Sequence, residues 1–556
     1  MSARTGGELI VASLIAHGAT HAFGVPGESY LPVLDALHDV ADRLRFVVCR
    51  HEGGAAYMAE AYGKLTGRPG IAMVTRGPGA SNAAIGIHTA QQDSTPMIVL
   101  VGQVGSDFVD REAFQEIDYR RMYGSIAKWA AQIDRADRIP EYLARAFTTS
   151  MSGRPGPVVL ALPEDMLSAT ADVTEPPRAA EVQAAPAAID VQQAHALLAD
   201  AQRPLVLVGG SRWTADACAA MRRFAETNAL PVACGFRRQD VFDNRHANYV
   251  GDVGIGIRPG LAQMVREADV LLVIGERLGE MTTSAYTLLD VPAPRQTLVH
   301  VHPGVEEIGR VYQPALGICA APGAFVDAIA ALPALQATRW RERTAAAHSD
   351  YEAWRTPRPV PGDVDLWQIV RWLDDRLPDD AIVTNGAGNF ATWMHRLYRY
   401  RRHGTQLAPY VGAMGYGVPA AVAAKIVHPG RVVVCWSGDG DFQMNQQELA
   451  TALQYGAPAI FVVVDNRMYG TIRMHQERHY PGRVSGTDLV NPDFAALARA
   501  YGGCGETVRR TDEFAPAFER ALASETATVI HVLADPQALT MNASLDAIRE
   551  AGRKTS

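Results

Sequence analysis

An aspartate and an asparagine 27 positions apart, Asp439 and Asn466, stand where a chain could grip a metal ion. Each closes an apolar, β-branched run: Val432-Val-Val-Cys-Trp-Ser leads into Gly438-Asp439-Gly440, and Val462-Val-Val-Asp leads into Asn466. A helical stretch lies between them. The order reads as strand, tight turn, helix, strand. It puts both side chains at the ends of neighbouring parallel strands, the edge where open α/β sheets bind ligands. Hard oxygen ligands beside glycine-exposed N–H groups suit a Mg²⁺ that carries a diphosphate. A bare Gly-Asp-Gly would read as an ordinary turn, because Asp-Gly is common turn chemistry.

A second candidate lies far upstream. Glu52, in Arg50-His-Glu-Gly-Gly-Ala-Ala-Tyr-Met-Ala, follows a strand-like run and opens a helix among small residues. Its bland reading is a helix N-terminal carboxylate favoured by the macrodipole. Gly386-Ala-Gly388-Asn389 follows the run Ala381-Ile-Val-Thr384 and opens another helix, a turn that can aim N–H groups at phosphate oxygens.

The Gly-Asp-Gly run, 25 intervening residues and Asn466 together resemble the signature of thiamine diphosphate enzymes. The resemblance implies Asp439, Asn466 and the Met468 carbonyl as Mg²⁺ ligands. It implies Gly386, Gly388, Asn389, Gly438, Gly440 and Asp441 along the diphosphate. Gly412-Ala-Met414-Gly resembles the stretch beneath the bend of the cofactor, with Gly412 at the 4′-amino group and Met414 wedged between the rings. The Glu52 segment resembles the one that holds the activating glutamate. There a carboxyl on pyrimidine N1′ favours the imino tautomer that deprotonates the thiazolium, and it works best shielded from water. Gly24-Val-Pro-Gly27 resembles the first active-site loop, and Phe114-Gln115-Glu116 a substrate-side trio led by Gln115. Because Glu52 and Asp439 sit in different units yet must flank one cofactor, the family arrangement implies a homodimer or a dimer of dimers.

These residues need three scaffolds. Strand-like runs alternate with helical stretches throughout, and each continuous apolar run predicts a parallel strand covered on both faces. The expectation is an α/β chain of three successive doubly wound parallel-sheet domains: 1–170 for the pyrimidine, 190–335 as a central unit, and 362–556 for the diphosphate. Residues 171–190 and about 335–365 read as linkers. The last residues, 549–556, read as frayed. At 556 residues, three or four domains are expected. A charged fraction of 20% with no basic stripe argues against nucleic acid. No apolar run reaches membrane-span length. No signal core opens the chain, and six scattered cysteines without paired or metal-type spacing read mostly as buried thiols of a cytoplasmic protein.

The resemblance covers essentially the whole chain and is nearest to acetolactate synthase large subunits. That implies decarboxylation of pyruvate to a hydroxyethyl carbanion or enamine, which attacks a second 2-oxo acid. Three departures stand out. Glu164 occupies the place of a lysine. Arg473-Met-His475 stands where the anabolic enzymes carry a tryptophan. The flavin segment reads Gly275-Glu-Arg277-Leu-Gly-Glu-Met281 and lacks two aspartates. Arg154, Gly209, Gly210 and Arg277 still leave room for FAD, whereas the bland reading of Arg154 is a surface guanidinium beside a turn. A 2-hydroxyacyl-CoA lyase, an oxalyl-CoA decarboxylase or an aldehyde carboligase stays open as the alternative, with a 2-oxo acid or an acyl-CoA as substrate. A separate regulatory subunit also stays open.

Overall fold

The computed structural model describes residues 3–174, 176–336 and 339–555. Eighteen strands form three six-stranded sheets, each parallel throughout. The first holds β1 (His21–Gly24), β2 (Arg45–Val48), β3 (Gly70–Val74), β4 (Met97–Gln103), β5 (Trp129–Gln132) and β6 (Pro157–Pro163). The second holds β7 (Leu205–Val208), β8 (Val232–Cys234), β9 (Tyr249–Asp252), β10 (Val270–Ile274), β11 (Thr297–His302) and β12 (Leu316–Cys319). The third holds β13 (Ile382–Asn385), β14 (Gln406–Leu407), β15 (Val433–Gly438), β16 (Ile460–Asp465), β17 (Cys504–Val508) and β18 (Thr528–Leu533).

The first sheet runs β2-β1-β3-β4-β6-β5 and the third β14-β13-β15-β16-β18-β17, so the two share one strand order. The central sheet runs β9-β8-β7-β10-β11-β12, the order of a dinucleotide-binding unit. The long apolar runs are the interior strands, buried along their whole length in β4, β6, β10, β15 and β16. Helices cover both faces, as right-handed parallel crossovers require. Among the described residues no helix is long and apolar enough to cross a membrane.

Helices α1 (Glu52–Thr66) and α2 (Asn389–Leu397) begin at the candidate residues Glu52 and Asn389. Helix α1 packs on α3 (Gly417–Val427), so the first and third units share one apolar core. Both helices contribute small residues to that core, Ala55, Ala56 and Ala59 from α1 and Ala420, Ala421 and Ala424 from α3.

Three local expectations are corrected. The stretch 335–365, of which 337 and 338 lie outside the described residues, is not an open linker: Arg341–Trp354 is a helix that seats Thr344, Ala347 and Tyr351 on the central unit. Its charged outer face masked that inner stripe. Residues 549–555 are not frayed either, and Ser556 lies outside the described residues. Leu545–Thr555 is a helix packed on α4 (Gly470–His479) and tied by Arg549 to buried Glu477. Of the six free cysteines, Cys49, Cys234 and Cys435 are buried, but Cys319 and Cys504 are exposed.

Candidate active site

The third sheet reverses its strand order between β13 and β15, and the loops leaving those two strands frame a cavity of about 250 Å³. Gly388, Asn389, Gly412, Met414, Gly438, Asp439, Gly440, Asp441, Asn466 and Met468 all line it. Gly386 sits just behind, where a Cβ would lie 1.9 Å from Asp441 Oδ1. Asp441 itself works inward. Its carboxyl accepts from the N–H of Ala387 (3.2 Å), the N–H of Gly415 (2.9 Å) and the Ser437 hydroxyl. It thereby ties together the three loops that carry the other residues. Burial pushes it up to about 6.

Asp439 is the second carboxyl group at the cavity wall. Oδ1 accepts from the Gly440 N–H (2.9 Å) and Oδ2 from Asn491 Nδ2 (2.8 Å). The same Asn491 nitrogen donates to Asp465 Oδ1 (2.8 Å), and His531 Nε2 lies 2.9 Å from Asp465 Oδ2. Burial works against the Asp465 charge, yet hydrogen bonds from His531, Asn491 and the Arg467 N–H hold it below the usual carboxylate range. Burial and then this neighbouring charge push Asp439 up to about 7. A divalent cation would relieve both effects.

The chain turns sharply after β16. Arg467 adopts φ 59°, and the Met468 N–H donates to Asn466 Oδ1 (3.3 Å). Among the described residues no group of three or more His, Cys, Asp or Glu side chains is placed to hold a metal. One carboxylate with neutral amide and carbonyl oxygens is instead the sparse donor set that suits Mg²⁺ completed by phosphate and water. The residues present therefore fit a magnesium diphosphate.

Glu52, Gly27 and Gln115 all follow C-terminal ends of first-sheet strands. Glu52 Oε2 accepts from Asn82 Nδ2 (2.9 Å), and the N-cap residue His51 accepts from the Gly53 N–H. Gly27 passes close to Thr75, whose Cβ would lie 2.5 Å from any Cβ placed there. Gln115 has φ 67° in a loop whose neighbour Phe114 is 74% exposed. The cavity walls run from Leu366 to Leu539, so the chain does not bring these three residues to its own cavity.

Several participants escaped sequence reasoning. Glu448, fully buried, accepts from the N–H groups of Arg50 (3.1 Å) and His51 (3.0 Å) and so fixes the start of α1 from the third unit. Burial pushes it up to about 7. Tyr57 donates to the Met414 carbonyl (3.3 Å), and Tyr416 donates to buried Glu60 (2.5 Å). Asn491 was missed as well, because nothing in the stretch Asn491-Pro-Asp-Phe494 points its amide at Asp439.

The departures have geometry as well. Glu164 pairs with Arg76, which also reaches Glu28 (2.9 Å) and the Phe114 carbonyl (3.2 Å). His475 lines a larger channel of about 1030 Å³ between the central and third units, which also reaches Gly412 and Asn389. Arg154 is no free surface guanidinium: it is paired with Glu307 (2.6 Å) and bonded to Ser94 and the Gln91 carbonyl.

Sequence models of one enzyme family match all three units. They are the N-terminal TPP binding domain (residues 4–122), the central domain (191–329) and the C-terminal TPP binding domain (386–532) of thiamine pyrophosphate enzymes. The chain is 32% identical to the acetolactate synthase isozyme 2 large subunit of Escherichia coli, over 95% of each chain. It is 34% identical to the acetolactate synthase large subunit of Parasynechococcus marenigrum, over 95% of this chain and 87% of the relative. A probable acetolactate synthase large subunit of Methanocaldococcus jannaschii matches at 32% over 96% of this chain and 93% of the relative.

Proposed function

The chain belongs to the thiamine pyrophosphate enzymes of the acetolactate synthase kind, and on that premise we propose that it releases CO₂ from a pyruvate-like 2-oxo acid and joins the remaining acyl carbon to a second carbonyl compound. One observation carries the reading. Every diphosphate-side and metal-side residue that the resemblance implies, apart from Gly386 just behind the wall, faces a single cavity at the switch point of the third sheet.

Asp439, Asn466 Oδ1 and the Met468 carbonyl would hold Mg²⁺, with Gly388, Gly438 and Gly440 leaving backbone close to the phosphates. Bound there, thiamine diphosphate supplies the electron sink that decarboxylation of a 2-oxo acid needs. Asp441 keeps the cradle rigid through its three hydrogen bonds. Met414, held from behind by Tyr57, supports the bend of the cofactor. Glu52 is assigned the proton relay at the pyrimidine, and Gln115 and Gly27 the substrate side.

Glu52 does not line its own chain's cavity, so each site is assembled from two copies, in a homodimer or homotetramer. The first unit (1–170) then serves the pyrimidine and the last (362–556) the diphosphate. Six unpaired thiols suit a cytoplasmic setting.

Mixing tests the assembly directly. Glu52→Gln and Asp439→Ala are each expected to be nearly inactive alone. Dissociated and reassociated together, they form hybrids in which one site has both residues intact, and activity returns. If the hybrids stay as inactive as the parents, shared sites are ruled out.

A further inference from the structure

The central sheet has the strand order of a dinucleotide-binding unit, with its switch point between β7 and β10. A flavin diphosphate would have to approach the glycines that follow these strands. That space is taken. Glu276, two residues past β10, is 1% exposed, and its Oε2 lies 2.0 Å from where a Cβ would sit on either Gly209 or Gly235. The glycines after β7 and β8 therefore make room for this carboxyl group. Its other oxygen accepts from Thr282 (2.8 Å). The cleft left among Gly210, Glu276 and Arg277 is about 20 Å³, room for a water molecule but not for two phosphates.

The cations are committed too. Glu307, whose side chain is 4% exposed, pairs through one oxygen with Arg154 (2.6 Å) and through the other with Arg277 (3.2 Å). Other donors of these arginines reach back to the first unit: Arg154 to Ser94 and the Gln91 carbonyl, Arg277 to the Gln92 carbonyl (2.9 Å). Two larger spaces adjoin it, a channel of about 1030 Å³ that Arg277 lines and a cavity of about 620 Å³ beside Arg212 and Arg238, but neither is lined by Gly209, Gly210 or Gly235, so neither opens onto the glycines of the switch point.

We propose that the central unit holds no FAD: Glu276 fills the place of the diphosphate, and Arg154 and Arg277 clasp the first unit to the central one through Glu307. A diphosphate in this crevice would face an acidic side chain, with its would-be arginine partners already paired.

The test uses the holoenzyme with thiamine diphosphate and Mg²⁺. The purified protein is scanned for flavin absorbance and then titrated with FAD to on the order of 100 µM, following FAD fluorescence polarisation and the melting temperature. The expected result is a colourless protein, no saturable polarisation change, and a melting temperature that FAD does not move although thiamine diphosphate raises it. A stoichiometric flavin after purification, or saturable binding at micromolar FAD, overturns the proposal. For the clasp, Glu307→Gln should lower the melting temperature equally with and without FAD. A loss that FAD restores, or no loss, overturns that half.

Discussion

Two sheet edges in this molecule meet the same physical problem and answer it differently. Each of the second and third sheets reverses its strand order at one point, and each places an acidic side chain just beyond a strand there: Glu276 after β10 and Asp439 after β15. Burial drives both groups up to about 7. At the third sheet the loops stand back, and Asp439 faces about 250 Å³. At the central sheet the Glu276 carboxyl lies against two glycines, and about 20 Å³ remains. A strand order known for binding thus does not make a site. What decides is whether the side chain at the switch point borders the space or fills it.

The largest contrast should come from removing each carboxyl group. Asp439→Ala is expected to weaken Mg²⁺-dependent thiamine diphosphate binding by ~100-fold or more, since a lost direct ligand should exceed the usual cost of a lost supporting contact. Glu276→Ala should leave that affinity unchanged. Calorimetric titration of both variants reads the difference. Wild-type affinity in Asp439→Ala would erase the distinction between the two edges.

Much of this contrast was legible before the fold. The interior strands are unbroken apolar runs, so their ends could be placed within a residue or two, and the motif residues sit at those ends. Edge strands β5, β9, β12, β14 and β17 and the three-residue interior strand β8 were missed because short or half-exposed strands carry no such run; all four residues of β5 are only partly buried. The helix Arg341–Trp354 hid behind its charged face. Partners distant in sequence were invisible as well: Glu448 meets Arg50, and Asn491 bridges Asp439 and Asp465. Glu276 was read as part of a weakened flavin segment. That its carboxyl occupies the crevice depends on β7, β8 and β10 lying side by side, which no local pattern states.

A middle-sized effect separates the two acids by pH. Glu276 rises from 4.5 to about 7 in the folded chain, so between those values the native state holds a proton that the unfolded state releases. Its contribution to stability is full below about pH 4.5 and is lost as pH climbs through about 7, an effect of about 3 kcal/mol. Glu276→Gln removes the titration, so its urea midpoint should gain on wild type between about pH 5 and about pH 8. Mg²⁺ and thiamine diphosphate should flatten the part of the pH dependence that belongs to Asp439 and leave this difference intact. Parallel wild-type and variant profiles would remove Glu276 from the account.

The smallest expected change lies at the edge of the first sheet, which tests whether a paired charge can still select a substrate. Glu164 is held by Arg76, and its side chain is 40% exposed, so the lost pair should cost only about 0.2–1 kcal/mol of stability. Glu164→Lys leaves Arg76 with Glu28 and adds a second cation beside the Phe114-Gln115 loop. If that loop faces substrate, the two cations should favour an anionic acceptor, and the yield of 2-oxo acid condensation should rise relative to aldehyde products. Mass spectrometry of products from paired acceptors measures the ratio. A ratio equal to that of wild type would place Glu164 outside the substrate path and leave Arg76 as a purely structural link between the loops that carry Gly27 and Gln115.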